Sequence, residues 1–348
     1  MAWQAETLAG RFRTTRKDDP MEREATPVTV LTGYLGAGKT TLLNRILTEP
    51  HGRKFAVIVN EFGEVGIDND LIVDTDEEVF EMNNGCICCT VRGDLIRIIE
   101  TLMRRRDRFD GILIETTGLA DPAPVTQTFF VDEDVRSKTR LDSIITVVDA
   151  KHLLGEIDHA HEAQEQLAFA DTIILNKVDL VDEADIRSVE DRIRRLNPTA
   201  AILRSERCNL DIGALLDRRA FDLERILEVE PDFLDETHEH EHDDHVSSLS
   251  LTSREPLDPE RFFPWLQTAV KHFGVDILRM KGIISFEGDE DRYVVQGVHM
   301  LMEGDHQRPW RDGEERLTRL VFIGRNLPKD ILSDGFERCR VLRQQAAE

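Results

Sequence analysis

A doubly wound parallel α/β domain built around a phosphate-binding loop, followed by a smaller α+β domain, is the fold class that this 348-residue sequence predicts. Three observations predict it. Short apolar runs alternate with helix-length amphipathic segments between residues 28 and 203, the mark of successive βαβ units. A glycine-rich loop, Gly33-Tyr34-Leu35-Gly36-Ala37-Gly38-Lys39-Thr40, follows the first apolar run and precedes a helical segment. Beyond an acidic stretch at 228–245 the pattern changes to alternating strands with few helices.

In chain order, residues 1–25 read as a disordered or variable extension. Arg11, Arg13, Arg16 and Lys17 give it a basic start, but it lacks the apolar segment of a secretory signal, and Asp18, Asp19 and Glu22 count against a transit peptide. The α/β domain is expected over 26–227, with strands at 28–32, 55–60, 111–115, 144–149, 172–176 and 201–203. Helix 41–47 follows the glycine-rich loop. Val91, Leu95, Ile98, Ile99 and Leu102 recur at helical spacing and give a second helix its buried face. Residues 228–246 form an acidic, histidine-rich linker that has little apolar surface to bury. The second domain, 247–348, has strands expected at 248–252, 277–286, 293–299 and 317–323, a helix at 262–273 and a closing helix from Lys329.

Composition narrows the partners. Acidic residues outnumber basic ones 68 to 44, and a net charge of −24 repels a phosphate backbone, so nucleic acid is not an expected partner. No run approaches the ~20 apolar residues of a membrane-spanning helix, so no membrane is expected either. Three of the five cysteines crowd at 86, 88 and 89, which suits metal binding in a reducing compartment better than disulfides. The expected location is the cytoplasm.

The glycine-rich loop sets up a nucleotide site. Backbone N–H groups of Gly33, Gly36, Ala37 and Gly38, with Thr41 in the helix's first turn, are placed to cradle phosphates at the helix's positive end. Lys39 reaches the terminal phosphates and Thr40 ligates Mg²⁺. Asn176-Lys177-Val178-Asp179 follows another strand, at the edge where open α/β sheets bind ligands. There Asp179 matches the paired N–H donors on one edge of guanine, which adenine lacks, so the nucleotide is GTP. Glu115 ends the strand 111–115 beside the phosphates and either holds Mg²⁺ through water or orients the attacking water, making it, with Lys39, the catalytic candidate. Asp149 ends a neighbouring strand, where capping the next turn and serving the site are equally open readings.

Cys86, Cys88 and Cys89 place three thiols within four residues, a set suited to a soft ion, zinc or copper(I). Glu64 is the first candidate for a fourth ligand and Glu61 the second. Three thiolates with one exchangeable position suit an ion meant to leave again. A redox dithiol of Cys86 and Cys89 is the rival reading. His238, His240, His242 and His245 form an auxiliary metal-binding candidate or a solvated linker. Cys208, Cys339, His299 and His306 stand alone and read as ordinary residues.

Taken together, GYLGAGKT, NEFGEVGID, GCICC, ETTGLADP and NKVD, in this order, resemble the CobW-type family of metallochaperone GTPases. The resemblance extends over about 26–345 and includes RMKGIISFEG and YVVQGVHM in the second domain. It implies a GTPase that binds zinc at Cys86, Cys88 and Cys89 and delivers it to a client metalloprotein in a GTP-dependent step. A zinc store, or a cobalt- or iron-insertion GTPase, is the alternative. In related dimeric enzymes a lysine follows the first glycine of the phosphate loop; here that position is Tyr34.

Overall fold

The computed structural model describes residues 25–60, 79–82, 89–218, 220, 246–311 and 313–341. They fall into two compact units, 25–220 and 246–341.

The first unit holds a seven-stranded sheet of β1 (Thr26–Thr32), β2 (Phe55–Asn60), β3 (Val79–Met82), β4 (Gly111–Glu115), β5 (Thr139–Asp149), β6 (Thr172–Asn176) and β7 (Ala201–Arg204). Its order is β3-β2-β4-β1-β5-β6-β7 and every pairing is parallel. Apolar positions on both faces are buried, among them Val28, Val30, Ile112, Leu113, Ile144, Ile145, Ile173 and Ile174. That is why these strands read as unbroken apolar runs. β3 was not expected; four residues at the sheet edge behind an acidic run are too short to show a period. β5 begins five residues before the expected 144, and its Asp142 and Ser143 are fully buried.

The winding reverses beside β1, which lies between β4 and β5. The crevice at the carboxyl ends of the strands opens at such a switch point. Register brings the strand ends level: Leu31 lies opposite Glu115, Thr32 opposite Thr146, and Asp149 opposite Asn176.

The helices of this unit are α1 (Lys39–Thr48), α2 (Cys89–Met103), α3 (Ala123–Val131), α4 (Glu133–Lys138), α5 (Leu153–Ile157), α6 (His161–Phe169), α7 (Glu183–Leu196) and α8 (Ile212–Leu215). α1 buries Leu42, Leu43, Ile46 and Leu47 against Leu31, Val57, Leu113, Val147 and Ile174 of the sheet. α2 buries Leu95, Ile99 and Leu102, positions expected to form its inner face. α7 starts at Asp182, whose carboxylate accepts from the N–H groups of Ala184 and Asp185, and ends with Arg194 and Arg195, charges that suit the two ends of the helix dipole.

The second unit contains β8 (Val246–Ser253), α9 (Pro259–Phe273), β9 (Ile277–Ile284), β10 (Asp291–Val298), β11 (Leu301–Pro309), β12 (Thr318–Arg325) and α10 (Lys329–Glu337). The strands form an antiparallel sheet in the order β11-β10-β9-β12-β8. Alternate residues Leu249, Leu251, Met280, Ile284, Tyr293, Val295, Leu320 and Phe322 share one core with Phe262, Leu266, Ala269, Leu332 and Phe336 of the two helices. β11 was also unexpected: it is a half-buried edge strand whose Glu303, Asp305 and His306 leave no apolar alternation. No helix among the described residues is long and apolar enough to cross a membrane.

Candidate nucleotide site

The chain leaves β1 at Thr32 and turns into α1 through residues 33–38. Gly33, Gly36 and Gly38 all have positive φ, at 140°, 74° and 117°. A Cβ at Gly33 would stand 2.2 Å from the Val147 carbonyl oxygen, and one at Gly38 would stand 2.6 Å from Asn176 Nδ2, so neither position admits a side chain. Ala37 N–H closes the turn onto the Tyr34 carbonyl at 3.2 Å. Lys39, nine-tenths buried, folds over the loop and donates from Nζ to the carbonyls of Gly33 at 2.8 Å and Tyr34 at 3.3 Å. This arrangement holds an ammonium over a turn at the positive end of a ten-residue helix, a setting built for an anion.

Glu115, at the carboxyl end of β4, is buried and meets Thr40, whose Oγ1 donates to Glu115 Oε1 at 3.4 Å. Thr116 ties the ends of β4 and β1 together, its Oγ1 donating to Thr32 Oγ1 at 2.9 Å. A hydroxyl and a carboxylate at one point make a hard oxygen set, the donor type Mg²⁺ takes.

Asn176 uses its whole amide. Nδ2 donates to the Ala37 carbonyl at 2.9 Å, while Oδ1 accepts from Ser205 Oγ at 3.1 Å and from Cys208 N–H at 2.9 Å. Lys177, held at φ 62°, donates from Nζ to the Gly36 carbonyl at 2.8 Å and to Asp149 Oδ2 at 2.7 Å. Asp149 also accepts from Lys151 N–H at 2.9 Å and pairs with His152 Nδ1 at 2.9 Å. It therefore closes the turn that follows β5 and also holds Lys177. Burial pushes the Asp149 carboxyl up, but the bonds from Lys177, His152 and the Lys151 N–H outweigh it and leave the group below the usual carboxylate range. Asp179 stands beyond this clamp, exposed to solvent at the same edge.

Cys208 is not the isolated residue its sequence context suggests. It is fully buried, its Sγ lies 3.5 Å from the Gly38 carbonyl oxygen, and burial pushes its thiol up to about 11. Ser205 and Cys208 follow β7 at the same carboxyl edge as the residues after β6, and this position is the signal that would have found them. Gln166, also missed, is buried in α6 and contacts the loop behind Glu115.

The expected metal ligands Cys86, Cys88 and Glu64, the second candidate Glu61, and the histidines 238, 240, 242 and 245 lie outside the described residues. Cys89 opens α2. No group of three or more metal-ligating side chains occurs among the described residues.

Residues 27–204 match the CobW/HypB/UreG nucleotide-binding domain, and residues 246–340 match the cobalamin synthesis protein CobW C-terminal domain. The chain belongs to the CobW family. The resemblance carried by the five motifs therefore holds, and the CobW pairing of domains is present in full. Zinc chaperone YjiA of Escherichia coli is 36% identical over 321 residues, spanning 90% of this chain and 98% of its own length. Zinc-regulated GTPase metalloprotein activator 1 of Schizosaccharomyces pombe is 34% identical over 341 residues, spanning 86% of this chain and 82% of its own. The crystal structure of Zn(II)-bound YjiA GTPase from E. coli superposes with a TM-score of 0.75 at 32% identity, covering 91% of this chain and all of that one. The likeness thus includes both CobW domains.

Proposed function

We propose that this CobW-family chain is a GTP-hydrolysing zinc chaperone of the cytoplasm that loads a client metalloprotein. The observation that supports this best is the clamp of Asn176 and Lys177 on the phosphate loop, through the carbonyls of Ala37 and Gly36. It joins two sequence motifs at one edge of the sheet, and Asp179 stands exposed at that same edge. Gly33, Gly36, Ala37, Gly38 and Thr41 surround the phosphates with N–H groups, and Asp179 accepts from the guanine edge.

Thr40 is the residue that would hold Mg²⁺, which would neutralise charge building on the terminal phosphates. Lys39 exchanges the carbonyls of Gly33 and Tyr34 for phosphate oxygens as nucleotide arrives. Glu115 orients the attacking water. Zinc is cargo, held by Cys86, Cys88 and Cys89 with Glu64 and gathered by His238, His240, His242 and His245. The relatives described as zinc chaperones support zinc over cobalt or iron.

Chaperoning requires that nucleotide and metal bias one another, since a ligand shifts an equilibrium only through differential affinity. The test is a competition titration of Zn²⁺ against a calibrated chelator, with the protein bound to Mg²⁺ and a non-hydrolysable GTP analogue or bound to GDP. The expected difference is tenfold or more, about 1.4 kcal/mol. Equal tight binding in both states would make the cysteines a store and end the delivery reading.

A further inference from the structure

The polar residues Gln164, Glu165 and Gln166 in the middle of α6 are all buried. A buried amide is costly unless its hydrogen bonds are made. Gln166 Nε2 donates to the carbonyls of Gly118 and Ala120, both at 3.1 Å. Two acceptors on one side settle which end of the amide is nitrogen, so Oε1 turns the other way. Oε1 is buried with no hydrogen-bond partner among the described residues, and Gln166 lines a small cleft shared with Tyr34, Asp149 and Glu156. The Gln166 backbone carbonyl accepts from Thr146 Oγ1 at 2.8 Å, which seats this part of α6 on β5.

Gly118 connects the amide to the phosphate loop. A Cβ at Gly118 would stand 2.6 Å from Leu35 Cδ2 and 2.9 Å from the Leu35 backbone nitrogen, so the loop after Glu115 lies directly on the loop that cradles phosphate. The amide of Gln166 therefore braces this loop from behind.

We propose that Gln166 is a positioning residue for GTP hydrolysis. It holds residues 116–120, and with them the Glu115 carboxylate, at the separation from the phosphate loop that hydrolysis needs. The inference rests on the GTPase reading above. In that reaction a water oxygen bonds to the γ-phosphorus as the bond to the β–γ bridging oxygen breaks, giving GDP and inorganic phosphate, with the proton of water passing to the phosphate product. Gln166 acts through Gly118 and Glu115, so its loss belongs in kcat rather than in nucleotide binding.

The test uses the full chain with Gln166→Met, which keeps length and volume but removes both donors. Steady-state GTP hydrolysis, equilibrium binding of a fluorescent GTP analogue, and hydrogen exchange over 116–122 are measured together. The expected result is a kcat at least tenfold lower, with KM and analogue affinity within threefold of wild type and faster exchange in that segment. If Gln166→Met does not fold, Gln166→Asn, whose amide stops one methylene short of the two carbonyls, carries the same expectation. A kcat within twofold of wild type, whatever exchange does, would overturn the inference while leaving the GTPase reading intact. Absence of GTP turnover by the wild type would overturn that reading, and this one with it.

Discussion

Asn176 Nδ2 donates to the Ala37 carbonyl at 2.9 Å, and the neighbouring Gly38 leaves so little room that a Cβ there would stand 2.6 Å from the same nitrogen. The phosphate loop and the strand end of β6 are thus fitted to one another, and substitution at either side is expected to open the site.

Gly38→Ala must both displace the Asn176 amide and hold a side chain at φ 117°. The expected outcome is a loss of nucleotide affinity of at least about tenfold, or 1.4 kcal/mol, in a titration with a fluorescent GTP analogue. Unchanged affinity would mean that the clamp yields without consequence for phosphate binding.

Asp179→Asn is expected to change which base is bound. A carboxylate offers two acceptors, which guanine's paired N–H donors match, whereas an amide offers one acceptor and one donor, the pattern that xanthine complements. GTP affinity should fall by about 10²-fold or more while XTP affinity rises, read by competition against a labelled analogue. Equal losses for both nucleotides would remove Asp179 from base recognition.

The Asp149 carboxyl lies below the usual range despite burial because Lys177, His152 and the Lys151 N–H stabilise its charge. A carboxyl depressed in the folded state contributes stability that is complete above the unfolded value, about pH 4, and lost as pH falls through the folded value. The stability difference between wild type and Asp149→Asn should therefore be greatest at neutral pH and shrink toward pH 3, read from denaturant midpoints. A difference independent of pH would show that the charge on Asp149 contributes nothing.

Burial pushes the thiols of Cys208 and Cys339 up to about 11. At pH 8 only about one in a thousand would be thiolate, the form that alkylates. Iodoacetamide treatment of the native protein followed by peptide mass spectrometry should leave both unmodified, and denaturant should expose both. Native labelling of Cys208 would show that the base of the phosphate loop opens to solvent.

Much of the fold was legible because its signals are local. Val28, Val30, Ile112 and Ile114 announce strands through their neighbours, and Leu95, Ile99 and Leu102 announce a helix through its period. The two strands that escaped notice, Val79–Met82 and Leu301–Pro309, are edge strands, one too short to show a period and the other too polar. Pairing with a neighbour makes them strands, and no residue within either segment encodes that neighbour.

The sequence alone determined the chemistry on offer: three glycines, Lys39 and Thr40 in a phosphate loop, a strand ending in Glu115, Asn176 to Asp179 after another strand, and thiols at 86, 88 and 89. Each is a run of adjacent residues whose spacing carries its meaning. Only the tertiary structure decided that Asn176 reaches Ala37, 139 residues away, that Lys177 bridges Gly36 and Asp149, that Cys208 lies under Gly38, and that Gln166 braces Gly118. These contacts depend on which strands lie side by side. That order follows from burying all the apolar faces at once, a condition on the whole chain that no local pattern contains.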